Sequence, residues 1–299
     1  MLPVRGLRGV ERFHRLGPCA FGVFYLDIWV FTTICVVVGA VAGFLGGLLG
    51  IGGGVVIVPA LILLFDIAGT FTSAPPGSNL TTLIAVATSL GSIIFTAAAA
   101  ARSQIRARMV EWLVVRRWVP ALVVGSYLAG FVAAELGVQI LRLLIGVFLL
   151  FVSAVMLTNW KPAPHRVLPG RTASAVIAGF AGLISGIAGI GGGNVVVPTL
   201  VFHNIPVHRA TATSSALGFP IALAGALGYV HRGWSVTTLD DGLLGFIYLP
   251  ALVAIVSATV LFAPLGVRFA HRLPPQPLKR AFGLLLILVS ARMIWTALV

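Results

Sequence analysis

Hydrophobic positions in this chain fall in long unbroken runs, with neither the alternation of a half-buried strand nor the stripe of a surface helix. The stretches 29–49, 83–101, 138–157, 173–190 and 243–263 carry almost no charge. Each is close to the roughly 20 apolar residues that a helix needs to cross the hydrocarbon core of a bilayer. The segments group into two sets of five. The first set covers about 28–49, 54–65, 82–101, 117–134 and 138–158. The second covers about 173–190, 194–203, 210–230, 242–263 and 280–298. A polar, proline-rich stretch from Lys161 to Arg171 separates them and reads as a linker. The expected organisation is a basic N-terminal segment (1–27), a first transmembrane repeat (28–158), a linker (159–171) and a second transmembrane repeat (172–299).

The two sets share a sentence. Residues 42–61 read AGFLGGLLGIGGGVVIVPAL and residues 181–200 read AGLISGIAGIGGGNVVVPTL, identical at 12 of 20 positions without a gap. A second echo follows, Ala85-Val86-Ala87-Thr88-Ser89 against Ala210-Thr211-Ala212-Thr213-Ser214. A duplicated glycine break inside apolar sequence points to a membrane transporter built from two related halves. Segments 54–65 and 194–203 are too short to span, and read as re-entrant or half-length helices. The fold class expected is therefore all-α: a polytopic helical membrane protein with two homologous repeats, about eight transmembrane helices, and short re-entrant or broken helices. Four crossings per half place the repeats parallel to one another, with an inverted arrangement as the alternative.

Composition supports the membrane reading. The chain is 59% hydrophobic and 9% charged, whereas a soluble domain carries about 25% charged residues. Net charge is +13, with Lys and Arg concentrated at 5–15, 102–117 and 159–171. The positive-inside rule places those loops in the cytoplasm. The basic 264–280 loop does not fit that scheme. No basic stretch is interleaved with aromatics, so nucleic acid is not an expected partner. Cys19 and Cys35 form no CxxC pair, and neither a metal nor a cofactor is expected.

The glycine runs carry the candidate chemistry. Irregular backbone at membrane depth survives only where it is buried in protein or lines a wet cavity. Gly50, Gly52, Gly53 and Gly54 end one helix and open another, as do Gly189, Gly191, Gly192 and Gly193. The new helix offers unpaired N–H groups and the positive end of its dipole, a ready site for an anion. Thr88, Ser89, Thr213 and Ser214 add hydroxyls, and Asn194 adds an amide. Together these form the expected substrate-binding set. Gly43, Gly47, Gly182 and Gly186 read as close helix packing. Pro59 and Pro198, at the same place in each short helix, are candidate hinges. The acids Asp66, Glu111 and Glu135 fall at span ends, and His203, His208 and His231 are candidates for proton coupling. No nucleotide-binding or catalytic pattern stands out, so no enzyme is expected.

The paired Gly-x-Gly-Gly-Gly with its following proline, each copy trailed by Ala-x-Ala-Thr-Ser, resembles the TauE/SafE family of membrane permeases. The resemblance covers about 28–298. It implies an inner-membrane, multi-pass carrier related to exporters of sulfite, sulfoacetate and similar organosulfur anions. The insertion at 66–80, Val55 and the basic N-terminal extension depart from the family pattern. The function expected is a secondary transporter that moves a small anion by alternating access. Membrane lipid surrounds it, and a homo-oligomer is left open. The alternatives are a permease for a different small solute and a non-transporting membrane assembly protein.

Overall fold

The structure is a computed structural model, described here for residues 19–49, 53–68, 80–158, 170–237, 242–270 and 275–298. These residues form ten helices and one small hairpin: α1 (Cys19–Leu49), α2 (Gly54–Ala68), α3 (Leu80–Arg106), α4 (Trp112–Glu135), α5 (Val138–Thr158), α6 (Arg171–Ala188), α7 (Gly193–Phe202), α8 (Val207–Gly233), α9 (Leu249–Ala270) and α10 (Pro275–Leu298). Among the described residues, seven are long and apolar enough to cross a membrane: α1, α3, α4, α5, α6, α8 and α9. The apolar parts of α2, α7 and α10 are shorter. The chain is a polytopic helical membrane protein.

Strong pairings join α1 with α9, α4 with α6 and α8, α3 with α8, and α5 with α10. Small residues set these crossings, because without a side chain two backbones approach closely in a lipid environment. Gly43 leaves no room for a Cβ beside the Thr259 backbone, and Gly182 none beside Leu122. Gly186 meets Ala129 and Ser126 in the same way. The central helices α3 and α8 are the most enclosed. The outer helices turn Val37, Phe180, Leu261 and Leu288 outward, as lipid requires.

Contacts along each pair give helix directions. Gly39 and Gly43 face Ile255 and Thr259, so α1 and α9 run the same way. Leu122 and Ser126 face Gly182 and Gly186, so α4 and α6 also run the same way. The central pair is antiparallel, with Gly225 on Leu90 and Gly218 on Ala97. So is the outer pair, with Gly146 on Ile294 and Gly283 on Leu157. α3 and α8 thus run in opposite directions, as do α5 and α10, the directions that the inverted alternative expects and the parallel arrangement does not. In the structure the end of α9 lies with the end of α3 and the start of α4, the end of the bundle bearing Arg102, Arg106, Arg108, Arg116 and Arg117. We call it the basic end; it is the end that the positive-inside rule expects in the cytoplasm. The start of α1 lies at the far end. The basic segment before it, the 159–169 linker and the insertion at 69–79 are outside the described residues.

One local departure has a simple cause. The segment expected to be helical from about 242 opens with a β-hairpin, Leu243–Leu244 paired with Ile247–Tyr248. Gly245 turns it at φ +57° while lying against the Val230 backbone, where no side chain fits. Asp66 lies in the last turn of α2, at a span end as expected, and pairs with Arg142 at 2.9 Å.

Candidate functional site

Helices α6 and α7 form a hairpin that enters the bundle from the basic end and turns back at its centre. The turn uses Gly189 (φ +69°) and Gly192 (φ +78°), conformations that residues with a side chain rarely adopt. Gly192 caps α7, its carbonyl accepting from Val195 and Val196 N–H. Gly193 and Asn194 are therefore first-turn residues whose N–H groups have no intrahelical acceptor. In the first half Gly53 caps α2 in the same way, accepting from Val56 and Ile57. The two breaks meet: a Cβ on Gly54 would lie 2.7 Å from the Gly189 carbonyl oxygen and 2.6 Å from Ile93 Cδ1. Ile93 on α3 and Gly218 on α8 pack around this junction, Gly218 against the Gly191 carbonyl.

A cavity of about 390 Å³ lies on the basic-end side of the junction. Gly53, Gly191, Gly193 and Ile93 form its inner end. Its walls are small residues of α1 and α3, with Val260 and Pro264 of α9. The polar lining is Thr96, Ser103, Gln104, Ser214, Ser215 and Thr259. Among the described residues, no charged side chain lines it. Ser103, Ala99, Ala100 and Pro264 are exposed, so the cavity is open toward the basic end.

Ser214 is 1% exposed, lines the cavity, and its Oγ has no hydrogen-bond partner among the described residues. A hydrogen bond from this hydroxyl to a bound acceptor is worth about 0.5–1.5 kcal/mol net, so a ligand that accepts from it is favoured over an apolar one. Of the expected binding residues, Gly53, Gly191, Gly193 and Ser214 come together around this one space. Gly54, Gly189 and Gly192 shape the junction behind it. Asn194 is half-buried with its Nδ2 unpartnered, yet it does not line the cavity. Gly50 and Gly52 lie outside the described residues.

Three hydroxyls expected in the binding set are engaged elsewhere. Ser89 Oγ donates to the Gly189 carbonyl at 2.9 Å. Thr213 Oγ1 accepts the Glu111 N–H at 2.9 Å, and Thr88 Oγ1 accepts the Tyr248 N–H at 3.0 Å. Glu111 and Tyr248 are the residues just before α4 and α9. Each threonine therefore satisfies a backbone donor at the start of a helix in the other half, a cross-half tie that the letters alone do not reveal. Thr96, Ser103, Gln104 and Thr259 were missed by sequence reasoning, and Ser215, next to Ser214, was not placed in the binding set. Only their position on α3, α8 and α9 beside the glycine break singles them out, and that required the helix crossings.

The ionisable candidates stand apart from the cavity. Glu111 pairs with Arg209, Glu135 with Arg232 at 2.8 Å, and Asp66 with Arg142. His203 Nδ1 contacts the Thr199 carbonyl, and His231 contacts the Tyr127 hydroxyl. None of His203, His208 and His231 lines the cavity. Among the described residues, no group of three His, Cys, Asp or Glu is placed to hold a metal ion. Pro59 and Pro198 sit inside α2 and α7. Each lacks the N–H that would bond the carbonyl four residues back, at Val55 and Asn194.

Comparison with known proteins places this architecture. The chain matches the family model described as sulfite exporter TauE/SafE over residues 35–293. It is 31% identical over 267 residues to a probable membrane transporter protein of Haemophilus influenzae, a match covering 89% of this chain and 99% of the relative. A probable membrane transporter protein of Methanocaldococcus jannaschii is 26% identical over 251 residues, covering 82% and 89%. The probable membrane transporter protein YunE of Bacillus subtilis is 24% identical over 282 residues, covering 88% and 97%. No solved structure matches. On the family match across most of its length, this multi-pass membrane protein belongs to the TauE/SafE sulfite exporter family.

Proposed function

We propose that the chain is a secondary carrier, not an enzyme, that moves a small anion across the cell membrane by alternating access. The anion is sulfite or an organosulfur anion such as sulfoacetate. The observation that carries this reading is the cavity end built from Gly53, Gly191, Gly193 and the unpartnered Ser214. The Gly193 N–H in the first turn of α7, the backbone N–H groups of Gly53 and Gly191 beside the two helix starts, and the Ser214 hydroxyl are neutral donors. They hold an oxyanion by several hydrogen bonds aided by the helix dipoles, with no fixed cation to retain it. Release is then as accessible as binding, which a carrier needs. The basic residues around the mouth, Arg102 and Arg106 among them, raise the local anion concentration without entering the site.

The pairing pattern supports two related halves. Exchanging the five-helix sets turns the α1–α9 pairing into α6–α4 and returns α3–α8 and α5–α10 to themselves. The Thr88 and Thr213 ties exchange in the same way. Halves related by a two-fold axis in the membrane plane suit a carrier that opens alternately to each side. Pro59 and Pro198 weaken α2 and α7 next to the glycine breaks, where a hinge is needed.

Uptake into proteoliposomes tests the site. Gly53 has the Ala42 carbonyl only 3.0 Å from where a Cβ would sit. Gly53→Val is expected to abolish sulfite and sulfoacetate flux while the protein stays in the membrane. Undiminished flux in that variant would overturn the assignment.

A further inference from the structure

The open cavity has a closed counterpart. Extending the match of 85–89 to 210–214 along both helices pairs Ala100 with Gly225, Ser103 with Gly228 and Gln104 with Tyr229. The glycine-run match pairs Gly46 with Ser185 and Gly47 with Gly186. Ala100, Ser103, Gln104, Gly46 and Gly47 all line the open cavity. Their counterparts lie toward the far end, where α4, α6 and α8 are sealed. A Cβ on Gly130 would sit 2.6 Å from the Gly228 carbonyl carbon, and Gly228 lies equally hard against the Tyr127 backbone. Gly225 is packed on Leu90 and Ser126. Tyr229, fully buried, fills the space that Gln104 leaves open at the other end, and its hydroxyl donates to the Gly186 carbonyl at 3.3 Å. Ser126 Oγ donates across the same seam to the Ile221 carbonyl at 2.7 Å.

One group in this seam points to a ligand or solvent. Ser185 is fully buried and its Oγ has no hydrogen-bond partner among the described residues. A stranded hydroxyl in a dry seam is destabilising, and it gains partners once the seam opens. We propose that the α4–α6–α8 seam is the closed second half of the solute path, and that Tyr229 is the gate that holds it shut. The inference rests on the carrier reading above. When the seam opens, Ser185 becomes part of the lining, and Tyr229 leaves the Gly186 carbonyl. The glycines allow this because they interlock no side chains across the interface, so separation requires little repacking.

Cysteine accessibility tests the gate without any knowledge of the solute. In a background with Cys19→Ser and Cys35→Ala, Ser215→Cys reports the open cavity and Ser185→Cys reports the seam. A membrane-impermeant maleimide is applied separately to each face of sealed vesicles. Ser215→Cys is expected to react from the basic-end face, and Ser185→Cys to be protected from the far face. Adding Tyr229→Ala is expected to raise the Ser185→Cys rate from the far face at least tenfold and to lower the Ser215→Cys rate. Tyr229→Phe, which removes only the hydroxyl, serves where the alanine variant fails to fold, and is expected to shift both rates in the same directions. A folded Tyr229 variant whose Ser185→Cys stays protected would overturn the gate. Labelling that shifts as expected without flux of any sulfur oxyanion would leave the gate standing and remove the anion reading.

Discussion

Ser89 and Ser214 occupy matching places in α3 and α8, yet one is bonded and the other is not. Ser89→Ala leaves the buried Gly189 carbonyl without its donor, so a loss of about 1–3 kcal/mol in stability is expected, read as a lower melting temperature. Ser214→Ala removes a hydroxyl that supports nothing in this state. Its melting temperature is expected to stay level while the KM for the anion rises about three- to tenfold, the worth of one hydrogen bond of about 0.5–1.5 kcal/mol. The threonines separate from the serines in the same experiment. Thr88→Val and Thr213→Val unpair the N–H of Tyr248 and Glu111, so they are expected to lower the melting temperature and leave KM unchanged. The glycine breaks themselves were legible in the sequence, because three glycines in a row inside an apolar segment have few other uses, and Gly53, Gly191 and Gly193 line the cavity. The threonines' bonds to helix starts were not legible, because hydroxyls near a glycine break look alike on paper. Which one faces a cavity and which one meets a helix start depends on a crossing between segments more than a hundred residues apart.

At the scale of the helix, the short pieces α2 and α7 do what their length demands: each starts at the glycine break and runs back toward the end from which the preceding helix came. Both carry a proline in their interior, and Pro198→Ala restores the bond to the Asn194 carbonyl. The variant is expected to melt several degrees higher and to transport more slowly. An unchanged rate would remove the hinge role from Pro198. Helix packing yields a sharper contrast. Gly182→Leu forces a side chain into the Leu122 backbone, and no folded protein is expected from detergent extraction. Gly137→Ala, with open space around it, is expected to behave as wild type. Most element positions were readable from hydrophobic runs to within about five residues, since a lipid-facing helix must be apolar along its whole length; α1 begins about nine residues earlier and α9 lies about seven residues later than expected. The β-hairpin at 243–248 was not, because a two-residue strand has no periodicity to detect.

Across the whole molecule, the opposed directions of α3 and α8, of α5 and α10, and of α1 and α6 put corresponding loops on opposite faces. Ala107→Cys, after α3, and Val236→Cys, after α8, are expected to label from opposite sides of sealed vesicles. Labelling from one side would restore the parallel arrangement. Loop charge alone left the arrangement open, because the basic 264–280 loop did not fit the parallel scheme, and the packed helix crossings were needed to give the directions. The central claim is that this fold carries a small oxyanion at the inner end of the cavity. Its most direct test is the flux of sulfite and sulfoacetate into proteoliposomes by wild type and Ser214→Ala side by side. The account predicts saturable flux in the wild type and a KM several-fold higher in the variant at equal melting temperature. Absence of anion flux in the wild type, or identical kinetics in the two proteins, would contradict it.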